Sequence, residues 1–211
     1  MHITSLKAGE AFSEVYSFPG GVVLDIGGQD CNGSLRSFFE KKGMRFICMD
    51  MVAHHSVDIV VLPGQPLPFE ESTVDLIVST SCFEHDPFFW LTFREMTRVI
   101  KPSGYIYVNA PTSGRSHYIV DSWRFYPDAG QALACWSGKQ IYNETIYPVK
   151  VIETFNILGN EPWNDFVCIW KRVNIEDKET DIYTKPDIIN NIGSVEKIIN
   201  NSGLQTRKKV T

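Results

Sequence analysis

Two acids and a pair of glycines near the amino end have the types and spacing for chemistry. Val22-Val23-Leu24-Asp25-Ile26-Gly27-Gly28 is an apolar run that closes on an acid and two glycines, and Phe46-Ile47-Cys48-Met49 closes on Asp50. Glycines after a strand let the backbone approach a ligand closely, and an acid at the tip of the next strand can grip a ribose diol. The pattern points to an adenosine-type cofactor. Its plain alternative is a strand-end acid followed by a tight turn. Further along, His85, His117 and Asp121 are candidate acid–base groups, since a histidine oriented by a carboxylate is a competent base for an alcohol. Arg115 and Arg124 can clamp a phosphate or carboxylate. Trp123, Phe125 and Tyr126 can wall a sugar pocket or fill a core. Asn109, Arg115, Trp123 and Arg124 are the expected acceptor-binding set. His54-His55 and Glu84-His85-Asp86 lack the spacing of metal ligands, and no metal is expected.

The elements that must hold these groups alternate between strand and helix. Strands are expected at Val22–Ile26, Met44–Met49, Val57–Leu62, Val74–Ser79 and Tyr105–Ala110. Ser34 can cap a helix carrying Leu35, Phe38 and Phe39, with Gly43 at its end. Pro87 opens a helix through Ile100, with Leu91, Met96, Val99 and Ile100 on its apolar face, and with Phe88, Phe89, Trp90 and Phe93 mainly in the core. Lys101-Pro102-Ser103-Gly104 reads as a turn. Residues 1 to about 20 read as a lead-in. Such alternation predicts a doubly wound, Rossmann-like α/β sheet, mostly parallel and seven-stranded. Its last two strands, Val149–Ile157 and Asp165–Val173, form an antiparallel end joined through Gly159-Asn160. Residues 112–148, with a helical piece over Gln131–Trp136, read as an acceptor-side insertion in a domain spanning 1–173. Residues 174–211 read as a polar tail, in which Ser194 can cap a short helix bearing Val195, Ile198 and Ile199. That helix is a loosely docked tail or, in the alternative, a homodimer contact.

Bulk properties narrow the classes. The 211 residues carry a net charge of -5, which argues against a nucleic-acid-coating surface. The five cysteines are scattered, with no Cys-x-x-Cys pair, so a reducing cytoplasm is expected. Cys48 and Cys168 read as core residues. The amino-terminal residues lack the apolar core of a signal peptide, and no apolar run is long enough to enter a bilayer. The terminal Arg207-Lys208-Lys209 reads as solvated.

Four pieces in order carry a family resemblance: Val23–Gly28, Leu67–Ser79, Cys82-Phe83-Glu84-His85 and Glu95–Tyr105. Over residues 20 to 111 the chain resembles the class I S-adenosylmethionine-dependent methyltransferases, in particular the type 11 methyltransferase domain. The run His117–Asp128 is similar to a subgroup signature associated with sugar, capsule or other surface-glycan modification. The resemblance implies S-adenosylmethionine as cofactor and S-adenosylhomocysteine as product. It places Asp25, Gly27, Gly28, Asp50, Met51, Ser81 and Cys82 around that cofactor, and a small-molecule or sugar-linked acceptor beside it. Two departures stand out. Gln29 and Cys31 replace glycines of the usual first loop, and Leu62-Pro63-Gly64-Gln65-Pro66 lacks the acid that usually meets the adenine.

Two other readings remain open on sequence. A nicotinamide-dependent reductase would want Gly-x-Gly-x-x-Gly and Tyr-x-x-x-Lys, and neither is present; Tyr147 and Lys150 are one residue too close. A degenerate, non-catalytic partner subunit would explain the departures in the first loop.

Overall fold

A computed structural model of the chain describes residues 3–137, 147–158, 163–174 and 198–200. Strands β1 (Val22–Ile26), β2 (Arg45–Asp50), β3 (Ile59–Val60), β4 (Val74–Thr80) and β5 (Ile100–Ser113) run parallel. Strands β6 (Val149–Leu158) and β7 (Asn164–Arg172) add antiparallel at one end, and β8 (Ile198–Asn200) pairs antiparallel on β6. The order is β3-β2-β1-β4-β5-β7-β6-β8. The seven expected strands are therefore present, with a short eighth at the edge.

Alternate residues of each strand feed opposite faces. Leu24, Ile26 and Ile77 join one apolar layer with Phe93, Met96 and Val99 of α3 (Phe89–Val99) and Leu133 of α4 (Ala129–Ser137). Val23, Leu76, Val78 and Tyr107 join the other with α1 (Ile3–Tyr16) and α2 (Arg36–Glu40). Strand-borne Cys48 and Cys168 are both buried.

Four readings are corrected. The lead-in holds α1, whose Ala8, Ala11, Phe12 and Val15 repeat at helical spacing and pack on the sheet. Phe12 lies 4.9 Å from the Tyr107 ring, and Ser5 Oγ donates to Asp165 Oδ2 at 2.9 Å. Leu91 and Phe88 are 40% and 44% exposed, on the solvent side of the α3 segment. Strand β5 begins at Ile100, so the Lys101–Gly104 turn is an irregularity inside it: the register shifts between Val74 and Leu76, and Ser103 takes a φ of 67°. Ile198 and Ile199 stand in β8 instead of a helix, paired antiparallel on the edge of β6, where the ladder takes up their backbone groups. Ser194, Val195, Gly159-Asn160 and Arg207–Lys209 lie outside the described residues. Among the described residues no helix is long and apolar enough to cross a membrane.

Candidate active site

Strand order reverses between β1 and β4, and a cavity of 420 Å³ opens at the carboxyl ends of β1, β2 and β4. Open α/β sheets bind ligands at such switch points, and the volume suits a small-molecule ligand. Asp25, Gly27, Gly28, Asp50, Met51, Ser81 and Cys82 all line it, as do His85 and His117.

The floor is built by close fits. Gly27 and Gly28 both donate their N–H to Met49 O, at 2.9 and 3.1 Å, which ties the loop after β1 to the end of β2. Gly27 has a φ of +72°, and a Cβ there would lie 2.3 Å from Cys82 Sγ. A Cβ at Gly28 would lie 2.4 Å from Asp25 Oδ2. The glycines are thus required by neighbouring side chains as well as by any ligand. Ser79 Oγ donates to Ile26 O at 2.8 Å and locks β4 to β1. Ser81, with a φ of 51°, donates its N–H to Asn109 O at 2.9 Å. That left-handed backbone is uncommon outside glycine and turns the chain sharply out of β4.

Asp25 is 1% exposed, and its Oδ1 is buried without a hydrogen-bond partner. Burial pushes its carboxyl up to about 7; the Arg36 charge opposes this and Asp50 adds to it. Burial also pushes the Cys82 thiol well above its ordinary value, with Asp86 and Glu84 adding to it. Asp50 accepts from Gln29 N at 3.2 Å on Oδ2 and from Val52 N at 3.2 Å on Oδ1. Each oxygen retains a lone pair, so the carboxylate is aimed and still able to receive two hydroxyls. Met51, Leu62 and Pro63 supply an apolar wall. Buried Asp25 with an orphaned oxygen, aimed Asp50 and this wall fit an adenosine-bearing, amine-bearing cofactor.

A histidine pair also lines the cavity. His117 lies 5.0 Å from His85, ring to ring, and 4.8 Å from Trp163. Asp121 Oδ2 accepts from His117 N and meets His117 Nδ1, each at 2.9 Å. Arg124 donates to both Asp121 oxygens, Nη2 to Oδ2 at 2.8 Å, and to the carbonyls of Gly114, Arg115 and Trp123. The Arg124 guanidinium beside Asp121 holds that carboxyl well below the usual range. His85 Nδ1 donates to Val120 O, and its Nε2 lies 3.7 Å from Glu84 Oε1. Glu84 is 1% exposed, its Oε2 has no hydrogen-bond partner, and burial pushes its carboxyl up to about 8.

The expected acceptor-binding residues lie elsewhere. Asn109 is fully buried in β5, Arg124 spends its fork on Asp121 and the loop, and Arg115 is exposed. Trp123 Nε1 donates to Asp86 O at 3.0 Å while its ring packs on Phe89 and Trp90. None of the four lines the cavity. Sequence reasoning passed over Gln29, Gln65 and Tyr118, which do line it. Gln65 carried a signal, since it stands in the stretch where an adenine-facing acid was missing. Tyr118 adjoins His117 in the run read as a signature.

The family model described as a methyltransferase domain matches residues 24–108. That match covers less than half of the chain and marks the stretch as similar to a methyltransferase domain. The four sequence pieces, in their order, resemble the class I, S-adenosylmethionine-dependent type, and the fold is similar to that of such an enzyme. An uncharacterized methyltransferase of Mycobacterium leprae (strain Br4923) is 25% identical over 178 residues, 72% of this chain and 64% of that protein. Another uncharacterized methyltransferase, from Mycobacterium sp. (strain KMS), is 33% identical over 96 residues, 41% of this chain and 37% of that protein. This chain thus spans 64% of the length of the first of these relatives. The fold is similar to that of Burkholderia thailandensis 1,6-didemethyltoxoflavin-N1-methyltransferase, solved with bound 1,6-didemethyltoxoflavin and S-adenosylhomocysteine. The TM-score is 0.60 at 13% identity, covering 81% of this chain and 79% of that one.

Proposed function

We propose that this chain transfers a methyl group from S-adenosylmethionine to an oxygen of a small, sugar-linked acceptor, of the kind built into surface polysaccharide. One observation carries the reading: a single cavity is lined by the strand-tip carboxylates Asp25 and Asp50 and by a histidine that a carboxylate orients. When bound, the cofactor supplies an electrophilic methyl, and the protein must align the acceptor and exclude water. Asp50 would hold the ribose hydroxyls, Asp25 would meet the ammonium, and Met51 would pack on the adenine. Asp121 fixes His117 so that Nδ1 is the donor and Nε2 keeps its lone pair. That nitrogen can take the proton from an acceptor hydroxyl as it attacks. Tyr118, exposed on the cavity wall, offers a ring face on which a sugar can stack. All five cysteines are free thiols, which supports a cytoplasmic setting.

Calorimetry with S-adenosylmethionine, S-adenosylhomocysteine and NADH tests the first step. Binding of the two sulfur compounds alone is expected; binding of NADH alone would select a reductase, and binding of none would select a partner subunit. Labelled cofactor incubated with nucleotide sugars and phosphorylated metabolites tests the second. Transfer only to protein or RNA would overturn the acceptor class.

A further inference from the structure

Glu84, His85 and His117 present one carboxylate oxygen and two imidazole nitrogens that all lie within 4.8 Å of one another. We propose that these three side chains bind a divalent first-row transition metal ion at the acceptor end of the cavity. The inference deepens the methyl-transfer reading and rests on it for the ion's use, though not for its binding.

The hydrogen bonding around the cluster is that of a prepared ligand set. His85 Nδ1 donates to Val120 O, and His117 Nδ1 donates to Asp121 Oδ2. Each ring is thereby set as the tautomer whose Nε2 carries the lone pair. A carboxylate or backbone carbonyl behind the imidazole is the usual arrangement for metal-bound histidine. Arg124 in turn fixes Asp121 with two hydrogen bonds. On the third ligand, Oε1 is the oxygen that faces His85, and the other oxygen is unexplained. Glu84 Oε2 is buried with no partner, a state that costs free energy unless an ion or water meets it. Donor atoms around a tetrahedral ion at ordinary bond lengths stand about 3.4 Å apart. His85 Nε2 and Glu84 Oε1 are 3.7 Å apart, close to that spacing, and no donor of the three lies more than 4.8 Å from another. Two imidazoles and one carboxylate suit zinc, cobalt, nickel, manganese or ferrous iron, and leave further positions open.

An acceptor hydroxyl in an open position would become acidic, as water does on such ions. Its proton would leave to solvent, the oxygen–carbon bond would form and the sulfur–carbon bond would break, with no further reactant. With an ion bound, His117 is a ligand; it serves as the base in the metal-free protein.

The test uses the untagged full chain stripped with chelator and titrated with Co(II) and Zn(II), in the absence of cofactor. One ion per chain is expected, with a Co(II) spectrum of nitrogen and oxygen ligands and no thiolate band. His85→Ala, His117→Ala and Glu84→Gln should each weaken Zn(II) binding at least roughly tenfold, and Asp121→Asn by a factor of about 10 to 100. Replacing the separate neighbouring pair, His54→Gln with His55→Gln, should change nothing. Absence of binding, a thiolate band, or binding unchanged in His117→Ala would overturn the site. The wild-type spectrum decides the ligand types even where a variant fails to fold. Cofactor calorimetry on the metal-free protein reports on the methyl-transfer reading separately.

Discussion

The Asp25 carboxylate occupies the space in which a side chain at Gly28 would begin: a Cβ there would come within 2.4 Å of Oδ2 and 2.9 Å of Cys48 Sγ. The acid and the glycine are therefore one fitted pair, and the loop after β1 takes its path from that fit. Gly28→Ala should lower stability by roughly 1–3 kcal/mol, the scale of an overpacked core site. It should also weaken S-adenosylhomocysteine binding, read by calorimetry. Combined with Asp25→Ala, the stability loss should be much less than the sum of the two single losses, because the space is then vacated.

Asp25 also predicts a pH dependence. Its folded value is raised from 3.8 to about 7, so the native state holds a proton that the unfolded chain has released. Its contribution to stability is full below about pH 4 and is lost as pH rises through 7. The upper limit is roughly 4 kcal/mol. Denaturant unfolding of wild type and Asp25→Asn between pH 4 and 8 checks this. The variant should gain on wild type as pH rises, and a constant difference would sink the assignment.

Asp50 is aimed by two backbone N–H groups and accepts no side-chain hydrogen bond that would be lost with its charge. Asp50→Ala should cost S-adenosylmethionine affinity about tenfold or more, two hydroxyl contacts at about 1 kcal/mol each. The melting temperature without cofactor should move little by comparison. A large loss of stability with unchanged affinity would make Asp50 a loop anchor only.

Arg124 holds the loop that carries His117. Its fork grips both oxygens of Asp121, whose side chain is fully covered. Arg124→Lys cannot reproduce that fork and should cost roughly 2 kcal/mol. Asp121 is held well below the usual carboxylate range, so its contribution persists above about pH 4 and is lost as pH falls. Thermal unfolding at pH 7 and at about pH 2 should therefore separate wild type from Arg124→Lys more widely at pH 7.

The order of strands, the two acids at their tips and the glycine loop were legible in the residues themselves. Each is a local pattern: apolar runs of strand length, then an acid, then glycines, with helices between them. Asp25, Gly27, Gly28, Asp50, Met51, Ser81 and Cys82 meet at one cavity because parallel strands end on the same side of a sheet. Helix α1 escaped notice because Gly9 interrupts its pattern; a Cβ there would lie 2.5 Å from Leu35 Cδ2, a demand visible only once α2 is in place. Likewise, Arg124 reads as a clamp for an anion until the path of its own loop turns its fork onto Asp121, three residues away, and onto the Gly114 and Arg115 carbonyls. Glu84 and His85 are neighbours in sequence, but His117 is separated from them along the chain by the whole of α3 and β5. Only tertiary packing, which seats the loop after β5 on the turn after β4 through Ser122 N to Glu84 O at 2.8 Å, brings their donor atoms together. Local pattern thus determined what neighbours in sequence share, the strand-tip acids with their glycines and the His117–Asp121 pair four residues apart, while the meeting of that loop with Glu84 and His85 was decided by long-range contacts that no spacing encodes.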